Sequence, residues 1–520
     1  MPLLDIVGSL VIFFVVLYFY LKHNNARSFS HLPLPPGPKG LPLIGNLRDM
    51  PISFEWKTYH KWSKDLGTDI LYLNVAGTPL VVLDTSEAAT ELLEKRSPLY
   101  SDRLARMPMM NELMGWDFHF AFMKYGERWR RHRRLMHYNF HPSAALRFRP
   151  HSLKAARNLL NRFLDIPDDI IGNLRHMAGE TIMSVGYGLE VQHKDDPYVK
   201  TAEQGIRPLF IAAVPGAFFV DMFPVLKYVP EWMPGAGFQR KARDWKKLAI
   251  TMIEVPFAAA KRNMAAGVSP PCFTSISLEQ MDGGTRDDAY REDIIQGVAG
   301  SMYAAGSDTT VSAVASCILG LLDKPEVLKK AQEELDRVIK PGHLPDFDDE
   351  DSLPYITAIT KETLRWRDVV PIAIPRFLTV DDEYKGYRLP AGAIIIPNAW
   401  AMLHNENVYE DPFTFNPDRF MKDGKIDKSV RDPGHACWGF GRRICPGRYM
   451  AFSAVWIAVA SLIATFDIKK AVDEEGNVIE PTHEYISALV CLPKPYKCSI
   501  TPRSSEVERV IRSAANQELL

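Results

Sequence analysis

The sequence predicts a mainly α-helical fold with a small β region (α+β), preceded by one N-terminal transmembrane helix. Three observations carry this. Helical spacing of apolar residues dominates from about residue 85. Strand-like alternation and turn breakers are confined to two stretches, residues 69–84 and 376–399. A run without charge occupies residues 6–21. The 520 residues, 46% hydrophobic and 24% charged, have ordinary globular composition and can bury a large core around a bound group.

The uncharged run, IVGSLVIFFVVLYFYL, is slightly shorter than the roughly 20 residues that span a bilayer; tilt or local thinning accommodates it, with Tyr18 and Tyr20 near the interface. Lys22, His23 and Arg27 follow, so the rest of the chain is expected on the cytosolic side. MPLLD has no basic n-region and no small-residue cleavage site follows, which favours an uncleaved anchor over residues 1–24. Pro33, Pro35, Pro36, Pro38 and Pro42 stiffen residues 25–48 into an extended hinge that is expected to set the orientation of the main body of the chain on the membrane.

DILYLNVAGTPLVVLD, residues 69–84, reads as a β-hairpin turning near Gly77 and Thr78. Residues 291–322 form a long apolar stretch rich in small residues, 324–340 an amphipathic charged helix, and 446–466 a last long helix. Residues 376–399 read as strands and turns, broken at Lys385–Gly386 and Ala391–Gly392. Residues 449–466 and 294–322 resemble membrane spans in composition. The first directly follows a reactive cysteine, and the second carries Asp308, Thr309 and Thr310 mid-helix, where polar groups are costly unless they line a cavity. Both are therefore expected in the core. One body over 49–503 and a polar tail over 504–520 complete the organisation.

With 62 basic and 63 acidic residues the formal net charge is -1, against the basic excess expected of a general nucleic-acid binder. Six scattered cysteines with no CxxC pair argue for a reduced compartment and against zinc-ribbon or thioredoxin-like sites.

Cys445 has a different setting. It stands in WGFGRRICPG, residues 438–447, between two arginines and a proline. Pro446 suits a first helical position, so the sulfur would face free N–H groups and the positive end of a helix dipole. Those and the arginines favour a thiolate, the form that binds metals. Gly439, Gly441 and Gly447 let backbone pass close to something flat and bulky, and Arg443 can reach an anionic group on it. A thiolate ligand, glycine clearance and an arginine for a carboxylate describe a haem seat. Cys437 and Cys491 lack that setting and read as inert thiols.

WGFGRRICPG resembles the haem-thiolate signature F-x-x-G-x-R-x-C-x-G of the cytochrome P-450 family, with Trp438 in place of the leading Phe; an aromatic plate is kept. The resemblance implies the family's helical prism enclosing haem b, with Cys445 as iron ligand and Gly439, Gly447 and Arg443 at the cofactor. AGSDTT, residues 305–310, resembles the oxygen-activation motif, which implies Thr309 and Asp308 as the hydroxyl and carboxylate that deliver protons, and Gly306 as the residue that leaves space. Glu362 and Arg365 of KETLR, with Arg419 of FNPDRF, resemble the family's buried Glu-Arg-Arg cluster, a structural brace behind the cysteine loop. Trp129 and Arg133 of WRRHRR and Arg376 of PIAIPRFL match positions that hold the haem propionates.

The activity that this resemblance implies is that of a monooxygenase inserting one atom of O2 into a C–H or C=C bond of a lipophilic small molecule. No flavin or dinucleotide element is visible, so electrons must come from an NADPH-dependent cytochrome P-450 reductase, with cytochrome b5 as a further donor. Lys124, Arg128, Arg130 and Arg134 are candidate docking charges. The expected location is the endoplasmic reticulum membrane, single-pass, with the catalytic body cytosolic; the general style is similar to fungal secondary-metabolism members. By analogy the loop 104–122, rich in Met, Phe and Trp, residues 369–373 and residues 486–489 border the substrate, and the apolar stretch 208–238 meets the bilayer and gates access. The competing readings are a haem-thiolate isomerase or dehydratase that needs no O2, and a non-catalytic haem sensor. The Asp308–Thr309 pair disfavours the first, and the lack of a signalling domain the second.

Overall fold

The alternating residues of 69–84 form the predicted hairpin. Strands β1 (Ile70–Val75) and β2 (Thr78–Leu83) pair antiparallel from Ile70–Leu83 to Val75–Thr78. Ala76 and Gly77 turn the chain at φ 47° and 84°, the left-handed pair that a two-residue hairpin requires. The structure, a computed structural model, describes residues 31–103, 107–213, 217–284 and 287–514. The anchor expected over 1–24 lies outside the described residues.

The chain divides into two compact units. The smaller comprises the described residues up to Asp102 together with Pro375–Asn398. It holds helix α1 (Glu55–Leu66), the hairpin, and β3 (Arg376–Phe377), β4 (Asp382–Tyr384), β5 (Tyr387–Leu389) and β6 (Ile394–Pro397). One sheet has the order β1-β2-β6-β3, in which β2 and β6 are parallel; β4 and β5 form a separate hairpin turning at Lys385 and Gly386, both at positive φ. Inward residues such as Leu71, Val81, Val82 and Ile395 are wholly buried. The proline strip is part of this unit. Tyr72 N–H donates to Pro36 O at 2.9 Å and Arg388 N–H to Pro33 O at 2.8 Å. A Cβ on Gly37 would stand 1.9 Å from Tyr72 O, so only glycine allows that approach.

The larger unit spans Arg103–Ile374 and the chain from Ala399. Its main helices are α2 (Glu127–Phe140), α3 (Arg149–Asp165), α4 (Ile170–Tyr187), α5 (Pro197–Ala212), α6 (Gly237–Ala265), α7 (Phe273–Asp282), α8 (Glu292–Asp323), α9 (Pro325–Val338), α10 (Pro354–Trp366), α11 (Arg448–Thr465) and α12 (Ser505–Ala514). Short antiparallel ribbons sit among them: β7 (Met421–Lys422) with β8 (Lys425–Ile426), β9 (Phe466–Val472) with β10 (Val478–Ile479) and β13 (Cys498–Pro502), and β11 (Tyr485–Ile486) with β12 (Leu492–Pro493). The mainly helical α+β class is therefore what forms.

Helices α8 and α11 are apolar on every side, which in a large protein marks a central helix. Both are long and apolar enough to cross a membrane, yet two-thirds of each apolar window (67%) is buried within the protein. Helix α8 packs against α4, α6, α7, α10 and α11, and so runs through the middle of the helical layer. Two boundaries differ from expectation. Helix α11 starts at Arg448 with Gly447 as its N-cap, so Pro446 lies before the helix rather than at its first position. Within 504–520, read as a polar tail, Ser505–Ala514 is helical: Ile511 is buried and Arg512 Nη2 lies 2.8 Å from Asp165 of α3. Val507, Val510 and Ile511 are the helical spacing that carried that signal.

Candidate active site

Cys445 stands between a turn at Gly441–Arg443 and the start of α11, half-buried. Its N–H donates to Trp438 O at 2.8 Å and closes the loop. Two guanidinium groups hold the carbonyls beside the sulfur: Arg133 Nη1 of α2 donates to Ile444 O at 2.6 Å, and Arg448 Nη1 of α11 to Cys445 O at 3.0 Å. Burial pushes the thiol up from its ordinary range, while the Gly447 N–H and the charges of Arg133 and Arg448 pull it down. The helix-mouth N–H thus acts as expected, but the cations acting on the sulfur are Arg133 and Arg448, not the adjacent pair Arg442 and Arg443. Burial brings the Arg133 guanidinium down to about 10, opposed by the nearby thiol, and it stays charged at neutral pH.

The loop backbone is open on one side. A Cβ on Gly439, at φ 73°, would meet nothing within 4 Å, and one on Gly447 only the Met136 methyl at 3.9 Å. Arg443 is buried with its guanidinium 4.3 Å from the Trp129 ring centroid, and donates to Phe120 O at 3.2 Å and Met123 O at 2.7 Å. Trp129, Arg133 and Arg443 therefore converge on the cysteine loop. Arg376 is also buried, on β3 of the smaller unit, where it pairs with Ile395 across the sheet.

Helix α8 is buried over 297–304 and again over 311–322, but open over 305–310, where Ala305 is exposed. Asp308 and Thr309 lie in this opening. Thr309 Oγ1 donates to Ala305 O at 2.7 Å. Asp308 Oδ1 accepts from Arg175 Nε of α4 at 3.3 Å. Glu203 of α5 belongs to the same group: burial raises its carboxyl, with Arg175 lowering and Asp308 raising it further. Gly306 does not leave space above the helix as expected. A Cβ there would come 2.6 Å from Ile182 Cδ1, so its role is the close packing of α8 on α4.

Glu362 and Arg365 are fully buried on α10, joined by two bonds of 2.7 Å, and Arg419 Nε lies 3.2 Å from the same carboxylate. Arg365 also donates to Leu403 O at 3.0 Å and Pro412 O at 2.7 Å; Arg419 donates to Glu410 O at 2.5 Å and Asp411 O at 3.1 Å. The cluster clamps the segment 403–416 to α10.

Three of the four candidate docking cations are paired within the chain: Arg128 with Asp117 at 2.9 Å, Arg130 with Glu127 at 2.8 Å, and Arg134 with Asp287 at 3.0 Å. In the loop proposed for substrate, Met109, Met110, Trp116, Phe118 and Phe120 are buried in one cluster with Ile182, Val298 and Met302. Arg448 and Arg175 were not singled out from sequence. Arg448 stands three residues after Cys445, a local signal that was available; Arg175 is 133 residues from Asp308 and gave none.

Known proteins resemble the chain along nearly its whole length. A scan against protein families matches residues 35–500 to the family described as Cytochrome P450. The chain is 45% identical over 517 residues (99% of this chain, 98% of the relative) to cytochrome P450 monooxygenase 98 of Postia placenta. It is 41% identical to the tryptamine 4-monooxygenase of Psilocybe cyanescens, over 95% of this chain and 97% of that one. It is 42% identical to cytochrome P450 monooxygenase ple1 of Rhodocybe pseudopiperita, over 95% and 94%. That family carries haem on a cysteine thiolate, and the residues present fit the group: a cysteine on a glycine-lined loop with open space beside its backbone, buried cations, and a polar opening in the central helix. On the match along its length and on this site, the chain belongs to the cytochrome P450 family, and it is a haem-thiolate monooxygenase of the fungal kind.

Proposed function

We propose that Cys445 is the axial thiolate, that Trp129, Arg133 and Arg443 receive the haem carboxylates, with Arg376 as a further donor, and that Thr309 and Asp308 deliver protons for oxygenation of a lipophilic small molecule. The observation that carries this is the six-residue opening of α8, which exposes a hydroxyl and a carboxylate in the middle of an otherwise buried helix. Bound haem supplies the activation and transfer of oxygen. The chain supplies the rest. Arg133 and Arg448 fix the carbonyls beside the sulfur and hold it in one geometry. Thr309, parked on Ala305 O, can turn its hydroxyl toward a reacting oxygen and pass a proton. Asp308 accepts protons from solvent through the partly exposed Arg175–Glu203 side. Met110, Trp116 and Phe118 exclude water.

We place this activity at the endoplasmic reticulum membrane, anchored by residues 6–21, with an NADPH-dependent reductase as electron donor and a role in secondary metabolism. Support for a membrane surface comes from segment 217–236, where Phe219, Phe223, Val225, Tyr228 and Trp232 are each more than half exposed. With reductase present, Thr309→Ala and Asp308→Asn should lower product formed per NADPH by about 10²-fold, in the range of a lost proton-transfer group. NADPH oxidation should fall far less. Unchanged coupling in both variants would remove the proton-delivery assignment.

A further inference from the structure

In the apolar stretch 208–226 the single charged residue is Asp221. Its Oδ1 accepts the N–H of Met109 at 3.0 Å. Met109 begins a helical turn, Met109–Leu113, whose own N-cap residue, Pro108, offers no side-chain acceptor, so the cap comes from a segment 112 residues away. A second tie lies beside it: Lys227 Nζ donates to Glu112 Oε2 at 2.5 Å. Segment 217–228 is thus fastened at two points to the loop that borders the substrate. Its outer face, with Phe219 at 72% and Tyr228 at 75% exposure, is otherwise free among the described residues.

We propose that Asp221 and the Glu112–Lys227 pair form a latch over the substrate loop that tightens in acid and sets the rate at which lipophilic ligands come and go. The inference rests on the haem-thiolate reading and concerns regulation of that same site. The physics is burial. The Asp221 carboxyl is half-buried and accepts one backbone N–H, that of Met109. Burial pushes the carboxyl up to about 6, and the Met109 N–H pulls it down. The charged groups on the facing elements are Glu112 and Lys227, paired with each other, Glu231 and Arg243, paired at 2.5 Å, and Lys246 beside Gly115. None of these is among the influences on Asp221, which are burial and the Met109 N–H.

Linkage sets the sign. When the latch opens, the carboxyl meets water and returns toward its ordinary value near 4, so the closed state holds the proton more tightly. The contribution to closure is fully present below about pH 4 and is lost as pH rises through about 6. A two-unit difference is worth up to about 100-fold in the opening equilibrium.

The test uses full-length holoprotein in phospholipid nanodiscs and 1-dodecyl-1,2,4-triazole, a lipophilic iron ligand that stays neutral over this range. Its association and dissociation are followed by the shift of the haem band. Wild type should exchange the probe about tenfold or more slowly near pH 5 than near pH 7.5, with both rates moving together. Asp221→Asn, neutral and still an acceptor, should be slow at both. Glu112→Gln should be fast at both yet keep the pH ratio. The latch is overturned if Asp221→Asn keeps the wild-type pH ratio, if wild type shows none, or if only dissociation changes and affinity moves with it. A wild-type protein giving no band shift with the triazole would instead sink the haem-thiolate reading.

Discussion

Cys445→Ser should abolish the red-shifted carbon monoxide band of the reduced protein and lower turnover by more than about 100-fold, beyond what outer partners of a metal ligand usually cost. A serine hydroxyl is a hard, weakly donating ligand that stays protonated at neutral pH, so neither Arg133 nor Arg448 can turn it into an equivalent of thiolate. The seat should nevertheless survive. The glycine clearance at 439 and 447 and the stack of Arg443 on Trp129 do not depend on the sulfur. The variant should therefore still take up porphyrin, which separates loss of the ligand from loss of the fold. Cys437→Ser, on the neighbouring half-buried thiol, should leave the band in place. Retention of a thiolate-type band by the Cys445 variant, or its loss in the Cys437 variant, would move the ligand elsewhere.

Arg365→Leu should have the largest effect on stability. Glu362 and Arg365 are both fully buried, so the small worth of surface ion pairs does not apply. Removing the guanidinium leaves the Glu362 carboxylate with Arg419 and the Asn416 N–H, and strips Leu403 O and Pro412 O of a donor. Breaking a buried pair in this way costs about 3–5 kcal/mol, against a total stability of about 5–15 kcal/mol. The variant should give little soluble holoprotein, and what forms should lose its haem absorbance at a much lower temperature than wild type. The double variant Glu362→Leu/Arg365→Leu should fall short of the sum of the two single losses, because neither residue then strands the other and only Arg419 loses its carboxylate. Additive losses would mean that the two residues do not act as one unit.

The residues legible in sequence are those whose partners lie close in the chain. Glu362 and Arg365 are three apart on one helix, and the glycines around Cys445 fall within ten residues of each other. The hairpin at 69–84 was visible because alternation and a left-handed turn are both local. The hidden features depend on contacts across the chain. Strand β2 pairs in parallel with β6, more than 300 residues later, and nothing within 394–397 announces it. Arg175 meets Asp308, and Asp221 caps Met109, only after the helices have packed. Gly306 was misread for the same reason. Its position in the motif suggested room for small molecules, but the side chain it avoids, Ile182, belongs to another helix. Glu362, Arg365 and Arg419 come together as the resemblance implied, whereas the carbonyls they grip, from 403 to 414, gave no sign in the sequence.

The proline strip has a practical consequence. Because Pro33 O and Pro36 O receive the N–H groups of Arg388 and Tyr72, it finishes the edge of a sheet rather than swinging between two bodies. Anyone trimming the apolar leader for soluble expression should cut ahead of His31. A version starting at Asn46 would leave two strand amides facing water, and should aggregate where the longer one stays in solution.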